Sequence, residues 1–137
     1  MPEPLAVGVE ESREITVDRD RTIGFMGEAC RVYATPALVH DIEHACRDLI
    51  AARTPEGQDS VGYKIALTHM APTPLGMAVV ITARIAEFDG RRVLFEIEAR
   101  DPVETVGKGR HERFIVDVEK TRQRLEAKAA KAAGGAG

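Results

Sequence analysis

Apolar positions follow a helical period in one long stretch of the chain. They recur there every three or four residues, at Leu38, Ile42, Ala45, Cys46, Leu49 and Ile50. Thr35 is a good N-cap, and Pro36 suits the first helical position because its missing N–H costs nothing there. The spacing therefore predicts a helix over residues 36 to about 53, and the Thr-Pro-Glu-Gly run at 54–57 ends it.

Elsewhere apolar and polar residues alternate, which predicts strands. In the first strand after the helix, the alternation puts Val61, Tyr63, Ile65, Leu67 and His69 on one face. An Asp-Gly pair at 89–90 predicts a hairpin between two later strands. The predicted strands cover residues 12–17, 61–69, 79–85, 93–99 and about 106–118, whereas residues 22–34 have no clear pattern.

This order of elements predicts an α+β domain. One strand precedes the helix, and four strands follow it as an antiparallel meander. A single helix with one apolar stripe must lie across a sheet to bury that stripe. We therefore expect an antiparallel sheet wrapped around one long central helix, over residues 1–120. Residues 121–137 form an Ala-, Lys- and Gly-rich C-terminal tail, which we expect to be partly disordered.

The composition narrows the classes of function. The 137 residues carry a net charge of −3, with 44% apolar and 30% charged residues, as expected of one ordinary globular domain. Lys and Arg are interspersed with Asp and Glu, so no basic stripe could follow a phosphate backbone. The chain has no Trp and 4% aromatic residues, which disfavours a base-stacking platform. We therefore expect no nucleic-acid partner.

The expected location is the cytoplasm. No apolar run approaches the roughly 20 residues that span a bilayer. Residues 1–12 are acidic and lack the basic and apolar regions of a signal peptide. Cys30 and Cys46 do not make a disulfide framework. These features predict no membrane partner.

Residues 40–44 read His-Asp-Ile-Glu-His, which matches the H-x-x-E-H zinc motif. On a helical wheel, however, His40 and His44 lie opposite the apolar stripe. A zinc site needs a third ligand and a cleft, and a helix face turned to solvent supplies neither. We therefore expect two exposed histidines and no metal.

Three other residues have both a structural and a chemical interpretation. Glu43 lies at the border of the apolar stripe, as an edge carboxylate or as a carboxylate that faces a pocket. His69 continues an apolar face, as a satisfied core or interface histidine or as a general base. For Thr35, N-capping alone is a sufficient explanation.

The segment 107–113, Gly-Lys-Gly-Arg-His-Glu-Arg, also has two interpretations. It is typical of an edge strand that carries charges to prevent aggregation, or of a basic patch for an anionic ligand. Its two glycines indicate a bulge or a close approach to backbone or ligand.

Together these motifs resemble the hotdog-fold acyl-CoA thioesterases, most closely the fluoroacetyl-CoA thioesterase family. The resemblance runs from about residue 33 to about residue 120. It rests on Ala-Thr at 34–35 followed by Glu43 in Glu-His-Ala-Cys, on Gly62 leading to Leu-Thr-His at 67–69, and on Thr-Pro-Leu-Gly at 73–76. Asp-Gly-Arg-Arg at 89–92 and Gly-x-Gly-x-His-Glu-Arg at 107–113 complete it.

The resemblance implies an enzyme that hydrolyses acyl-CoA thioesters, with CoA as part of the substrate and no other cofactor. It also implies a homodimer with active sites at or near the subunit interface. The catalytic residues carried over are Thr35, Glu43 and His69. Gly62 would lie at the acyl-binding pocket, and Arg113 would line or order the site.

The resemblance leaves several points open. In the family's fluoroacetyl-specific member a longer, Phe-rich segment covers the pocket, whereas residues 24–30 here are fewer and contain one Phe. We therefore predict a small or medium acyl group rather than fluoroacetate in particular. A non-catalytic acyl-CoA-binding dimer is the main alternative, and a hotdog hydratase or dehydratase is a further one. An acyl-carrier protein in place of CoA, and a tetramer of two dimers, also stay open.

Overall fold

The computed structural model describes residues 2–134 and has one long helix against an antiparallel sheet. This confirms the predicted α+β architecture. Short 3-10 turns cover Arg19–Arg21 and Glu28–Cys30. The elements are β1 (Glu10–Thr16), β2 (Thr22–Ile23), β3 (Val32–Tyr33), α1 (Thr35–Ala51), β4 (Gln58–His69), β5 (Ala78–Phe88), β6 (Arg92–Arg100), β7 (Thr105–Asp117) and α2 (Val118–Gly134).

The main sheet has five strands in the order β1-β5-β6-β7-β4, and every pairing is antiparallel. The predicted meander is right for β5, β6 and β7 but wrong for β4, which pairs with β7 at the far edge. Residues 70–77 contain Pro72 and Pro74, which cannot donate ladder hydrogen bonds, and Pro74 bridges to Val32 instead. The prediction that residues 107–113 form an edge strand is also wrong, because β7 lies between β6 and β4.

Helix α1 packs its apolar stripe on one face of this sheet. Its buried apolar side chains meet alternate residues of β5 and β6, and the two sets form the core. Two ion pairs join the helix region to β1. Arg13 contacts Asp48 at 2.6 Å, and Arg53 contacts Glu11 at 2.7 Å. The core residues from the helix are Leu38, Ile42, Cys46, Leu49 and Ile50.

A bulge in β4 reverses the side-chain alternation halfway along the strand. The pairing with β7 shifts register between Gly62 and Lys64. The prediction of one continuous face from Val61 to His69 is therefore wrong, because a bulge inserts one extra residue. Tyr63 is that extra residue; it is 68% exposed and meets Phe114 edge to face at 4.9 Å. Gly62 and His69, an odd number of positions apart, consequently both face α1.

The second helix, α2, has no buried residue over its described length. The described part of the predicted tail, residues 121–134, is helical and belongs to α2. The expected disorder of the final residues concerns 135–137, which lie outside the described residues. Within residues 2–134, no helix combines the length and the apolar character that crossing a bilayer requires.

Candidate active site

The start of α1 and the end of β4 bring Thr35 and His69 together. The Thr35 Oγ1 atom lies 2.8 Å from His69 Nδ1. This contact replaces the predicted N-capping role of Thr35, which is wrong. Ala34 is the N-cap and forms no side-chain cap bond, and Thr35 is already helical. The hydroxyl is therefore directed at the histidine ring rather than at the helix backbone.

The surroundings of His69 keep its imidazole neutral near pH 7. Burial lowers the pKa of His69 below its usual value of about 6.5. The Tyr33 ring meets the imidazole edge to face, with centroids 6.1 Å apart and an interplanar angle of 80°. The Nε2 atom is buried and has no hydrogen-bond partner among residues 2–134. A neutral ring with Nδ1 on a hydroxyl can accept a proton from that hydroxyl.

The pair opens onto an apolar cleft of 390 Å³. The N–H group of Thr35, which lines this cleft at the start of α1, has no backbone partner among the described residues. Free N–H groups at a helix N-terminus stabilise negative charge. The cleft can therefore hold an apolar group with an oxygen directed at the helix start. It is lined by Ile23, Phe25, Val32, Tyr33, Ala34, Thr35, Pro36, His69, Met70, Ala71 and Pro72.

A second polar cluster lies about two turns further along α1, around Glu43. The Glu43 side chain is half-buried, as its predicted border position requires. Among residues 2–134 no group forms an ion pair or a hydrogen bond with its carboxylate. A Cβ atom added at Gly62 would lie 3.4 Å from Glu43 Oε1 and 3.4 Å from His111 Cε1. Gly62 thus leaves the space in front of the carboxylate open.

The same cluster contains the buried Arg113. Its Nε donates to Ser60 Oγ at 2.8 Å and its Nη2 to the Ser60 carbonyl at 2.8 Å. Its Nη1 lies 3.2 Å from His111 Nε2. Because the Lys64 carbonyl accepts from His111 Nδ1 at 2.9 Å, the Nε2 atom is free to accept from the guanidinium. Burial lowers the pKa of both His111 and Arg113.

The sequence analysis included His111 and Arg113 in the segment 107–113 but did not identify Ser60. The antiparallel register pairs Ser60 with Ile115 and Gly62 with Arg113. That register, which no local pattern reveals, brings Ser60 under the guanidinium.

Among residues 2–134 of one chain, the two clusters line separate clefts. Glu43 lines a separate hollow of 200 Å³ with His44, Arg47 and Arg113. Thr35 and Glu43 are eight positions apart on α1, which is about 12 Å along the axis at roughly 1.5 Å per residue. The predicted site residues therefore form two groups, Thr35 with His69 and Glu43 with Gly62 and Arg113.

The two histidines of the H-x-x-E-H motif lie on the solvent side of α1, as predicted. The His40 side chain is 68% exposed, and its ring centroid is 4.1 Å from that of His44. No group of three or more His, Cys, Asp or Glu side chains within residues 2–134 is arranged to hold a metal ion. Cys30 and Cys46 are both free thiols.

The fold and the helix-start cleft define the class of the protein, the hotdog-fold thioesterases. A Thermus thermophilus protein described as a thioesterase superfamily member superposes with a TM-score of 0.84 at 27% identity, covering 96% of this chain and 98% of its own. A hot-dog-like protein from Thermanaerovibrio acidaminovorans superposes at 0.82 and 25% identity, covering 89% and 91%. The predicted hotdog fold is confirmed.

More specific matches identify the family. A family model described as fluoroacetyl-CoA-specific thioesterase matches residues 17–119. The fluoroacetyl-CoA thioesterase of Streptantibioticus cattleyicolor is 30% identical over 135 residues, which cover 93% of this chain and 97% of the relative. A solved structure of a fluoroacetyl-CoA thioesterase superposes with a TM-score of 0.83, covering 92% of this chain and 98% of its own. The chain belongs to the fluoroacetyl-CoA-specific thioesterase family, which confirms the predicted family and the predicted class of thioester hydrolase.

Proposed function

We propose that this protein hydrolyses small or medium acyl-CoA thioesters to the free acid and CoA, with no cofactor beyond the CoA of the substrate. The observation that carries the proposal is the hydrogen bond between Thr35 and His69 at the mouth of an apolar cleft. A thioester needs an apolar place for its acyl chain, donors for its carbonyl oxygen and a base beside its carbonyl carbon. The cleft at the start of α1 supplies the apolar place and the donors, and the neutral His69 contributes to the base.

The roles of the residues follow from their chemistry. The N–H group of Thr35 stabilises the oxyanion that forms when the carbonyl carbon is attacked. Glu43 acts in one of two ways. As the nucleophile, its carboxylate oxygen attacks the carbonyl carbon, and the oxyanion collapses with cleavage of the C–S bond to leave an acyl–Glu43 anhydride. Water held by the Thr35 hydroxyl then attacks the anhydride, its proton passes through that hydroxyl to His69 Nδ1, and the free acid and the Glu43 carboxylate are released. As a base, Glu43 instead takes the proton of a water that attacks the thioester directly, and the Thr35 hydroxyl, oriented by His69, holds that water. In both routes the thiolate of CoA leaves and takes up a proton.

We propose further that the protein is a homodimer joined through β4. Among the described residues, no strand pairs with the outer edge of β4, so a row of backbone N–H and C=O groups is open along Gln58–His69. Val61 is 47% exposed and Tyr63 is 68% exposed on this strand. A two-fold axis that pairs β4 with its copy satisfies these groups and brings both side chains beside those of the partner strand. A pairing of two such dimers into a tetramer is an outcome that light scattering would reveal.

The proposed dimer also brings the Thr35–His69 cluster of one protomer close to the Glu43 cluster of its partner. Antiparallel pairing reverses the strand, so the His69 end of one β4 runs along the partner's Gln58–Gly62 region. That region faces Glu43. The site we propose therefore combines Thr35 and His69 of one protomer with Glu43 of the partner subunit.

Mixed dimers test this arrangement. Glu43→Gln and His69→Ala chains are each inactive as homodimers in this scheme. When they are co-expressed and assort at random, half of the dimers are mixed, and each mixed dimer keeps one intact site of two. We therefore expect about a quarter of wild-type turnover from an equal mixture. A mixture as inactive as its components would locate each site within one chain.

The function itself is tested by release of free thiol from a panel of acyl-CoAs, including acetyl, fluoroacetyl, aromatic and long-chain esters. We expect turnover that is lost in Glu43→Gln while circular dichroism stays native. The segment of residues 24–30 bears on the acyl preference, because Phe25 lines the cleft and is 82% exposed. Absence of release from every ester by a folded dimer would instead favour an acyl-CoA-binding module.

We propose that the functional domain ends near residue 120 and that residues 121–137 are dispensable for turnover. Helix α2 buries no side chain within its described range. A chain truncated after residue 120 should keep its turnover within about twofold, since exposed positions contribute little to stability. The cytoplasmic location stays a prediction from the sequence.

A further inference from the structure

A buried carboxylate next to the proposed site has no part in the roles described above. Asp41 lies on α1 and is 6% exposed. Arg21 donates to it twice, from Nε to Oδ2 at 2.9 Å and from Nη2 to Oδ1 at 3.1 Å. Tyr33 Oη donates to Oδ2 at 2.5 Å. A buried charge is costly, so it is retained only when such donors compensate it.

Tyr33 connects this carboxylate to His69. Its side chain is 2% exposed, and its ring meets the His69 imidazole edge to face at 6.1 Å. Its backbone N–H donates to the Thr73 carbonyl at 2.8 Å. Tyr33 is therefore held at both ends, by its backbone and by its hydroxyl. The ring between these two ends packs against the His69 imidazole. Among the described residues, the Thr35 hydroxyl is the group that hydrogen-bonds the imidazole.

We propose that Tyr33, anchored by Asp41 and Arg21, is a positioning residue that fixes the His69 imidazole for proton transfer at Thr35. The role rests on the proposed thioesterase function. An imidazole with one hydrogen bond can still pivot about that bond. The anchored ring removes this freedom, so that Nδ1 faces the hydroxyl before substrate arrives. Small losses of alignment at such a site cost large factors in rate.

The protonation states agree with this arrangement. Burial tends to raise the pKa of Asp41, but hydrogen bonds from Arg21 and Tyr33 outweigh it, and the net pKa is lowered. Burial and the neighbouring Asp41 raise the pKa of Tyr33. Tyr33 is thus a neutral donor and Asp41 an ionised acceptor. Packing alone would not need this pair, because a Phe ring above an apolar residue fills similar space without burying charge.

The test compares Tyr33→Phe, which keeps the ring and removes the anchor, with Asp41→Asn. Asp48→Asn is the matched control, because Asp48 is also an α1 carboxylate bound by an arginine from an earlier segment, Arg13 at 2.6 Å. We expect kcat to fall about tenfold in both test variants with KM within about twofold of wild type. The control should keep the wild-type kcat.

A second readout does not depend on turnover. In an NMR titration of the His69 ring, a less restrained imidazole should become better hydrated, and its lowered pKa should rise toward about 6.5 in Tyr33→Phe. Wild-type kcat and an unchanged His69 titration in the folded Tyr33→Phe variant would overturn the proposal. So would an equal loss in Asp48→Asn. If the wild type hydrolyses no acyl-CoA, the proposed function fails, and the titration alone still decides whether Tyr33 positions His69.

Discussion

The two polar clusters along α1 differ in how their side chains are hydrogen-bonded. At the helix start, Thr35 and His69 contact each other directly, and the walls around them are apolar. Two turns later, the Glu43 carboxylate has no bonded partner among the described residues, while Arg113 beside it is fully engaged by Ser60 and His111. In the first cluster the two side chains bond each other, although His69 Nε2 has no partner among the described residues. The other keeps a free carboxylate next to a fixed cation.

This difference indicates which group is prepared to react with an outside molecule. The Glu43 carboxylate is half-buried, lines an open hollow and has no bonded partner among residues 2–134, so it is available to an incoming molecule. The Thr35–His69 pair, by contrast, is already aligned and needs only a substrate oxygen and a proton to move. The comparison therefore supports the proposed roles, in which Glu43 attacks the carbonyl or activates water and the Thr35–His69 pair binds the attacking group and accepts its proton.

Removal of the Glu43 charge should cause the largest loss of activity and so is the strongest test of the difference between the two clusters. Glu43→Gln keeps the shape but loses the base or nucleophile, so we expect kcat to fall about a thousandfold, within the range for a lost general base. Because the carboxylate has no bonded partner, the melting temperature should hardly change. Thiol release and thermal unfolding measure the two effects, with Glu56→Gln in the exposed loop after α1 as control. A variant that kept a tenth of the activity would remove Glu43 from the mechanism.

Loss of His69 should have the next largest effect. His69→Asn should lower kcat about a hundredfold, because the proton acceptor at Thr35 is gone. In the wild type the neutral imidazole is the active form, so activity falls as pH drops through its pKa. Since burial lowers that pKa, the acid limb of kcat/KM should lie below about pH 6.5. A limb above that pH in the wild type, or an unchanged limb in the variant, would contradict the assignment.

The lowered pKa values of His69 and His111 also make the stability of the fold depend on pH. Burial lowers the pKa of His69 and of His111, so the unfolded chain binds protons more readily than the folded one. Stability should thus be constant above about pH 6.5 and fall as pH drops toward the folded pKa values. Urea unfolding at a series of pH values measures this trend alongside the activity profile.

Arg113→Met tests the fixed side of the second cluster. The change removes three hydrogen bonds to Ser60 and His111 and leaves their buried atoms unpaired. We expect a loss of about 2–3 kcal/mol in the free energy of unfolding, with about a tenfold loss in kcat as Glu43 loses its neighbouring charge. Urea denaturation gives the first number. Arg113→Lys should not restore either property, because an ammonium cannot reproduce the planar set of donors.

Gly62→Ala should have the smallest effect on activity, and it tests whether the space in front of Glu43 holds the acyl group. The added methyl would sit 3.4 Å from Glu43 Oε1, an ordinary contact distance, so folding should be retained. The methyl would occupy the space in front of the carboxylate, and we expect kcat/KM to fall about fivefold, with the largest loss for the bulkiest acyl groups. Gly57→Ala is not a suitable control, since Gly57 has a φ of 92°. Ala66→Ser on the outer sheet face is suitable. An equal loss of kcat/KM for all esters would show that Gly62 does not lie next to the acyl group.

Much of this arrangement followed from short-range patterns. The period of the apolar residues predicted α1 to within two residues at its end, and it predicted the exposure of His40 and the border position of Glu43. The motifs around Thr35, Glu43 and His69 were sufficient for the family. Such features depend on residues a few positions apart, whose geometry the backbone period determines.

Other features required contacts between distant parts of the chain. The Thr35 hydroxyl had an adequate local role as a cap, and only the approach of β4 gave it a different partner. Similarly, Asp41 looked like one more polar residue of α1 until Arg21 and Tyr33 folded onto it. No spacing along the sequence distinguishes these outcomes, because each depends on which segment arrives from elsewhere.

The amino-acid sequence by itself therefore determined α1, the strands of the main sheet, the faces of the helix and the family, since these depend on local period and on motif spacing. It did not indicate β2, β3 or α2. Tertiary structure alone decided that β4 pairs with β7, that the bulge at Gly62–Lys64 turns Gly62 and His69 to the same side, and that Ser60 and His111 hold Arg113. A single inserted residue reverses the facing of half a strand, and strand register depends on non-local pairing rather than on the composition of the strand.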